Sequence, residues 1–348
     1  MNGGIAVQAI RLRRARAGAL GLALMGLALL VAFLLGGQAL AATSSTGPRA
    51  SDLGTLGGCC SFGAGISDRG EVAGSSAVAE TITHAFVWRR GTMTDLGTLG
   101  GPGSDASDVN NRGEVVGQSN TAELSLHAFL WRAGAMTDLG TLGGPESVAT
   151  AINELGEVVG WSDTAAGERH AFLWRRGAMT DLGTPAGDSL SIAYGINDLG
   201  QVVGESSSGP FLWQRGTMTR LASLQGATYG AARDINDRGD IVGYAGFPSG
   251  LSINRAVMWH NGVAVDLGTP ATGNSMANGI NDRGQIVGWS DRPDGTFGAF
   301  LWERGTMTAL ESLTGNDGQA EAINNRGQVA GSGQVPEDPM VTHAILWR

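Results

Sequence analysis

Short apolar stretches alternate with glycine-marked turns along most of the chain, and the third of seven similar units shows the pattern in full. Segments 148–153, 157–161, 170–175 and 179–184 of that unit read as strands, each a short run with apolar or β-branched residues at alternate positions. Asn153-Glu154-Leu155-Gly156 separates the first two, and Arg175-Arg176-Gly177 the last two. Both are hairpin signals, with Gly where a short loop needs positive φ. In 170–175, Phe172 and Trp174 face one side while Ala171 and Leu173 face the other. A strand apolar on both faces belongs to a sheet packed between two others.

The unit recurs. One tryptophan returns at Trp88, Trp131, Trp174, Trp213, Trp259, Trp302 and Trp347, at intervals of 39 to 46 residues. A second marker interleaves with it at Ser67, Asn110, Asn153, Asn197, Asn236, Asn281 and Asn324. Four strands in about 43 residues, seven times over, predict an all-β, seven-bladed β-propeller of four-stranded blades. A linear β-solenoid is the competing architecture, and the outermost repeats discriminate between them. The last copy has three strands and ends on Trp347-Arg348, whereas 51–56 is a fourth strand with no preceding three. Joined, they complete the seventh blade, close the ring and remove exposed sheet edges.

The units resemble the extracellular HAF-repeat family, through segments such as His127-Ala128-Phe129-Leu130-Trp131-Arg132 followed by Thr137-Asp138-Leu139-Gly140-Thr141-Leu142-Gly143-Gly144. The resemblance covers 51–348. It implies an exported repeat protein and carries no established activity, catalytic residue or cofactor. Copies four and five depart from it, with Gly209-Pro210-Phe211 and Asn254-Arg255-Ala256-Val257 in place of the His-Ala-Phe start.

The N-terminus agrees with export. Arg11, Arg13, Arg14 and Arg16 precede an apolar run over 17–35, and Ala39-Leu40-Ala41 supplies a small-residue cleavage pattern. Residues 1–41 are therefore read as a signal peptide, 42–50 as a linker and 51–348 as the propeller. An uncleaved anchor is the alternative, because the run is near the lower length limit for crossing a bilayer. The expected location is secreted or periplasmic, with no membrane association after cleavage. The formal net charge is −9, and four of the 23 basic residues lie in the signal segment, so the remainder is more acidic still. No nucleic-acid partner is expected, since such binding needs clustered positive charge. Cys59 and Cys60 are adjacent and cannot staple distant strands; free thiols and a vicinal disulfide are both open.

Repeated polar residues are expected to serve the blades. His84, His127, His170 and His343 fall on third strands, about 10 Å outward from the innermost ones given a strand spacing near 4.8 Å, so they cannot converge on one ion. Asp95, Asp138 and Asp181, and the repeated Asn, are expected to satisfy turn amides. No nucleophile elbow, phosphate-binding loop, calcium loop or zinc helix occurs, and no cofactor or metal is expected.

Function is better sought where the copies differ. Both hairpins of each blade fall on one face of the disc, leaving the longer, variable connections on the other, which is the expected binding face. Three residues before each repeated Asn or Ser, the innermost strand carries Ala64, Ser107, Thr150, Tyr194, Arg233, Asn278 and Glu321, each preceded by Gly63 or an alanine. These predict a diverse polar ring at the funnel mouth. Gln118, Trp161, Glu205, Tyr244 and Trp289 hold a second variable position on the second strand. Aromatic faces beside hydrogen-bonding groups suit sugar rings or other small ligands. The candidate ligand-binding residues are thus Ser107, Thr150, Tyr194, Arg233, Asn278, Glu321, Trp161, Tyr244 and Trp289. The leading expectation is a monomeric, non-enzymatic binding or scaffold protein for an extracellular glycan, peptide or protein. The alternative is a hydrolase or lyase using Glu321, Asp108 and Asp234, and a purely structural surface or matrix protein is a third reading.

Overall fold

The computed structural model describes residues 48–248, 253–269, 273–315 and 317–348. The predicted signal peptide and most of the predicted linker lie outside the described residues.

Seven four-stranded antiparallel sheets follow one another along the chain. In the third, the strands Gly143–Ile152, Val158–Thr164, Arg169–Arg175 and Ala178–Gly183 contain or closely match the four predicted segments. Blades four and five keep the order despite their altered third strands, Gly209–Gln214 and Ile253–His260. The outer hairpins are tighter than glycine alone implies. Arg176 (φ 52) and Gly177 (φ 85) both adopt positive φ, as do Arg90 and Gly91, the pair of conformations that a type I′ turn requires.

The ring closes through the N-terminal strand. Ala50–Asp52 pairs with Asp338–Trp347 as the fourth strand of the seventh sheet. Pairing extends to Arg49, whose N–H donates to the Arg348 carbonyl while Arg348 returns a bond to Arg49. The closing strand therefore begins inside the predicted linker and stops at Asp52 rather than Leu56. Leu53 follows it into a core shared with Ile66, Phe86, Trp88, Ala344 and Leu346.

Each core cluster is formed between adjacent blades. Ala73, Ala85 and Val87 of the first blade meet Val109, Val115, Phe129 and Trp131 of the second. The double-sided apolar third strands supply one face to each neighbour, as their pattern requires. Buried serines reinforce these seams. Ser147 Oγ accepts a bond from Ala128 N–H of the preceding blade (2.9 Å) and donates to the Gly140 carbonyl (2.6 Å). Ser61, Ser104 and Ser191 repeat both bonds.

Candidate functional site

In all seven innermost strands the register with the second strand slips by one residue. In the third blade Ala149 faces Gly160 and Ala151 faces Val159, which leaves Thr150 as the extra residue of a β-bulge. The slips in the other blades leave Ala64, Ser107, Tyr194, Arg233, Asn278 and Glu321. The variable ring read from the sequence is therefore a ring of bulge residues. A bulge re-aims one side chain out of the ladder, and here all seven line a single axial cavity of about 460 Å³.

The second strand makes room for the bulge. Its Gly-containing element places Gly160 where an added Cβ would lie 1.9 Å from the Val148 carbonyl oxygen. Equivalent clashes of 1.9 or 2.0 Å recur at Gly74, Gly117, Gly204, Gly243, Gly288 and Gly331. The glycine of the repeat is thus required by close backbone approach, opposite the residue before each bulge.

The cavity is lopsided. Blades one to three contribute Ala64, Ser107 and Thr150, and the single Thr150 hydroxyl proton has the backbone carbonyls of Ala193 (2.9 Å) and Val159 (3.1 Å) within reach. Blades four to seven contribute the larger groups. The Tyr194 hydroxyl donates to Glu205 (2.8 Å), and the Arg233 guanidinium lies 4.8 Å from the centre of the Tyr194 ring. Asn278 Nδ2 donates to Glu321 Oε2 and to the Ala320 carbonyl, both at 3.1 Å, while Asn278 Oδ1 is buried without a partner.

Burial raises the acids of this cavity. The Glu321 carboxyl is pushed up to about 7, with the Arg233 charge acting in the opposite direction. Asp108 and Asp234 follow the bulges of blades two and five. Burial raises them to about 6 and about 7, against hydrogen bonds that favour the charged form. Those bonds define their role. Asp108 accepts from Val109 N–H and from Ile152 N–H of the next blade, and Asp234 accepts likewise from Ile235 and Ile280. One oxygen of each carboxylate thus holds the amide that follows it on its own strand, and the other ties the strand to the next blade. Burial also raises Tyr194 and Tyr244, each with the Glu205 charge adding to the effect.

Of the nine predicted site residues, Ser107, Thr150, Tyr194, Arg233, Asn278 and Glu321 line the cavity, and Trp161, Tyr244 and Trp289 do not. Trp161 is covered by the Arg169 guanidinium at 3.5 Å, and Trp289 packs edge-on to Phe297 at 6.3 Å. Tyr244 stands opposite Ala231 on the second strand. The histidines have partners within their own blades or across the closure: His84–Asp95 and His127–Asp138 at 2.8 Å, His170–Asp181 and His343–Asp52 at 2.9 Å. The same aspartates cap the following turn, as in Gly140 N–H to Asp138. Cys59 and Cys60, with Sγ atoms 2.6 Å apart, stand where the second and third blades carry Pro102-Gly103 and Pro145-Glu146.

The hairpin face holds a second ring, which the sequence reading passed over. Each repeated Asn or Ser is followed by Asp68, Asn111, Glu154, Asp198, Asp237, Asp282 or Asn325. The N–H of each donates to the side-chain oxygen of the next, from Asp68 through to Asn325 and back to Asp68, at 2.6 to 3.0 Å. One layer in, the repeated Asn Nδ2 groups donate to the next blade's carbonyl, as Asn153 does to Asn197. The restriction to Asp, Asn and Glu at seven equivalent positions was the available signal. Among the described residues no cluster of His, Cys, Asp and Glu has the arrangement of a metal site.

The fold defines a seven-bladed β-propeller with an axial cavity on its variable face. No family model and no curated protein matches the chain. Solved structures do. The extracellular domain of a one-component system from B. thetaiotaomicron is 10% identical with a TM-score of 0.51, over 86% of this chain and 40% of that one. The β-propeller domain of the Trilobed protease from Pyrococcus furiosus is 9% identical with a TM-score of 0.51, over 83% of this chain and 95% of that one. The chain thus spans well under half of the first protein's length. At such identities the likeness is one of fold. The described residues contain no helix long and apolar enough to cross a membrane.

Proposed function

We propose that this chain is an exported, non-enzymatic binding protein of the HAF-repeat type, which holds an extracellular ligand in the axial cavity of its variable face. One observation carries the reading: seven bulges present seven different side chains to one cavity, while the residues around them recur from blade to blade. A bulge repeated for stability alone has no need of Tyr, Arg, Asn and Glu at its tip. The binding reading is preferred to a hydrolase or lyase because Asp108 and Asp234 spend both carboxylate oxygens on backbone amides. Among the described residues that line the cavity, Glu321 is then left without a second free carboxylate of the kind that paired acid catalysis needs.

The test is a thermal-shift screen of the purified protein against glycans, peptides and metal ions, since a ligand selective for the folded state raises the melting temperature. A shift that Tyr194→Ala abolishes supports the axial site. A shift that survives substitution of Tyr194, Arg233 and Glu321 overturns it, and the absence of any shift favours a scaffold.

A further inference from the structure

We infer that the axial cavity takes a small zwitterion, an α-amino acid or short peptide, with Arg233 receiving the carboxylate and Glu321 the ammonium group. The inference rests on the binding role proposed above and names the ligand class for that site.

Two groups of opposite charge face the cavity from blades five and seven, and they do not pair with each other. The Arg233 guanidinium makes no hydrogen bond or ion pair among the described residues, and it lies over the face of Tyr194. A guanidinium carries five donors in a planar fork suited to a carboxylate. Glu321 has one oxygen, Oε2, held by Asn278, and its carboxylate makes no other hydrogen bond or ion pair among the described residues. Asn278, from the blade between, fixes the Glu321 carboxylate through its Nδ2. An ammonium group brings three donors to the carboxylate oxygen that Asn278 leaves free.

A ligand carrying both charges meets a group of opposite charge at each end. A purely anionic ligand leaves Glu321 facing like charge, and a purely cationic one leaves Arg233 unmatched. Space agrees: the small side chains of blades one to three leave room opposite the charged half, and Phe62 supplies an apolar wall for a side chain. A cavity of about 460 Å³ lies within the size range of small-ligand sites.

The experiment is calorimetric titration of the purified protein with individual L-α-amino acids and with alanine di- and tripeptides. Each binder is then compared with its N-acetylated and its C-amidated form. At least one zwitterion is expected to bind, and removal of either charge to weaken it tenfold or more. The variants should split the two effects. Arg233→Met, which keeps the aliphatic stem, should erase the preference over the amide but keep the preference over the N-acetyl form. Glu321→Gln should do the reverse. If Arg233→Met fails to fold, Arg233→Lys serves instead and should retain a reduced preference for the free carboxylate. Equal binding of the free, acetylated and amidated forms overturns the inference, as does failure of every zwitterion to bind. Binding of a neutral oligosaccharide, lost in Tyr194→Ala, would overturn the zwitterion while leaving the axial site standing. Failure of every ligand class would remove both.

Discussion

Thr150 and Gly160 show how one blade serves two purposes at the scale of single residues. Thr150 is expelled from the ladder by a bulge, and Gly160 admits the backbone that lies beside it. Gly160→Ala would put a Cβ 1.9 Å from the Val148 carbonyl, and backbone cannot yield as a side-chain tip would. The expected cost is about 3 kcal/mol, measured by denaturant unfolding. Asp234 supports a second prediction. Burial holds its carboxyl near 7, above the unfolded value, so between pH 4 and pH 7 the folded state binds more protons than the unfolded one. Its contribution is fully present at low pH and is lost as pH rises through the folded pKa. The melting-temperature advantage of the wild type over Asp234→Asn should therefore shrink from pH 4 to pH 7.5. A constant difference across that range would show that Asp234 does not titrate as burial requires.

Blades are joined by elements that repeat, and the repeats differ in weight. Ser147 is fully buried and bridges two blades, so Ser147→Ala orphans Ala128 N–H and the Gly140 carbonyl together. A loss of about 1–3 kcal/mol is expected. His127 and Asp138 form a more conspicuous pair, but their side chains are 21% and 41% exposed. His127→Ala should cost less than about 1 kcal/mol, so paired melting curves should rank the serine above the histidine. Recurrence in the sequence identified His127 and Asp138 as structural, while the weight of Ser147 emerged only from the structure, because burial depends on the neighbouring blade rather than on the spacing.

The ring is completed by three residues at one end of the strand order. Ala50–Asp52 covers the edge of Asp338–Trp347, and Leu53 enters the core behind it. Residues 46–348 form one compact unit, and comparison with a chain of residues 54–348 isolates the closure. The shorter chain loses the buried Leu53, about 2 kcal/mol by area alone, together with the edge bonds. It should melt lower and associate with rising concentration, since an uncovered strand edge recruits partners. Light scattering together with melting curves checks both. Equal stability and a monomeric state in the shorter chain would mean that closure contributes little.

The sequence by itself determined the seven blades, their strands, the blade that must close across the chain and the innermost-strand positions that differ; that these are bulges emerged from the register. Those features are local or periodic: alternation sets a strand, Gly sets a turn, and a fixed interval sets a blade. Position in the repeat even placed Tyr194, Arg233, Asn278 and Glu321 in one ring. Only the tertiary structure decided what each side chain meets. Trp161 and Trp289, read as ligand faces, are engaged with Arg169 and Phe297 on their own blades. Asp108 and Asp234, read as available acids, are bound to amides of the next blade. Arg233 and Glu321 face one cavity without meeting. Such contacts join residues tens of positions apart through side-chain direction and distance. Those quantities exist only after the blades have packed.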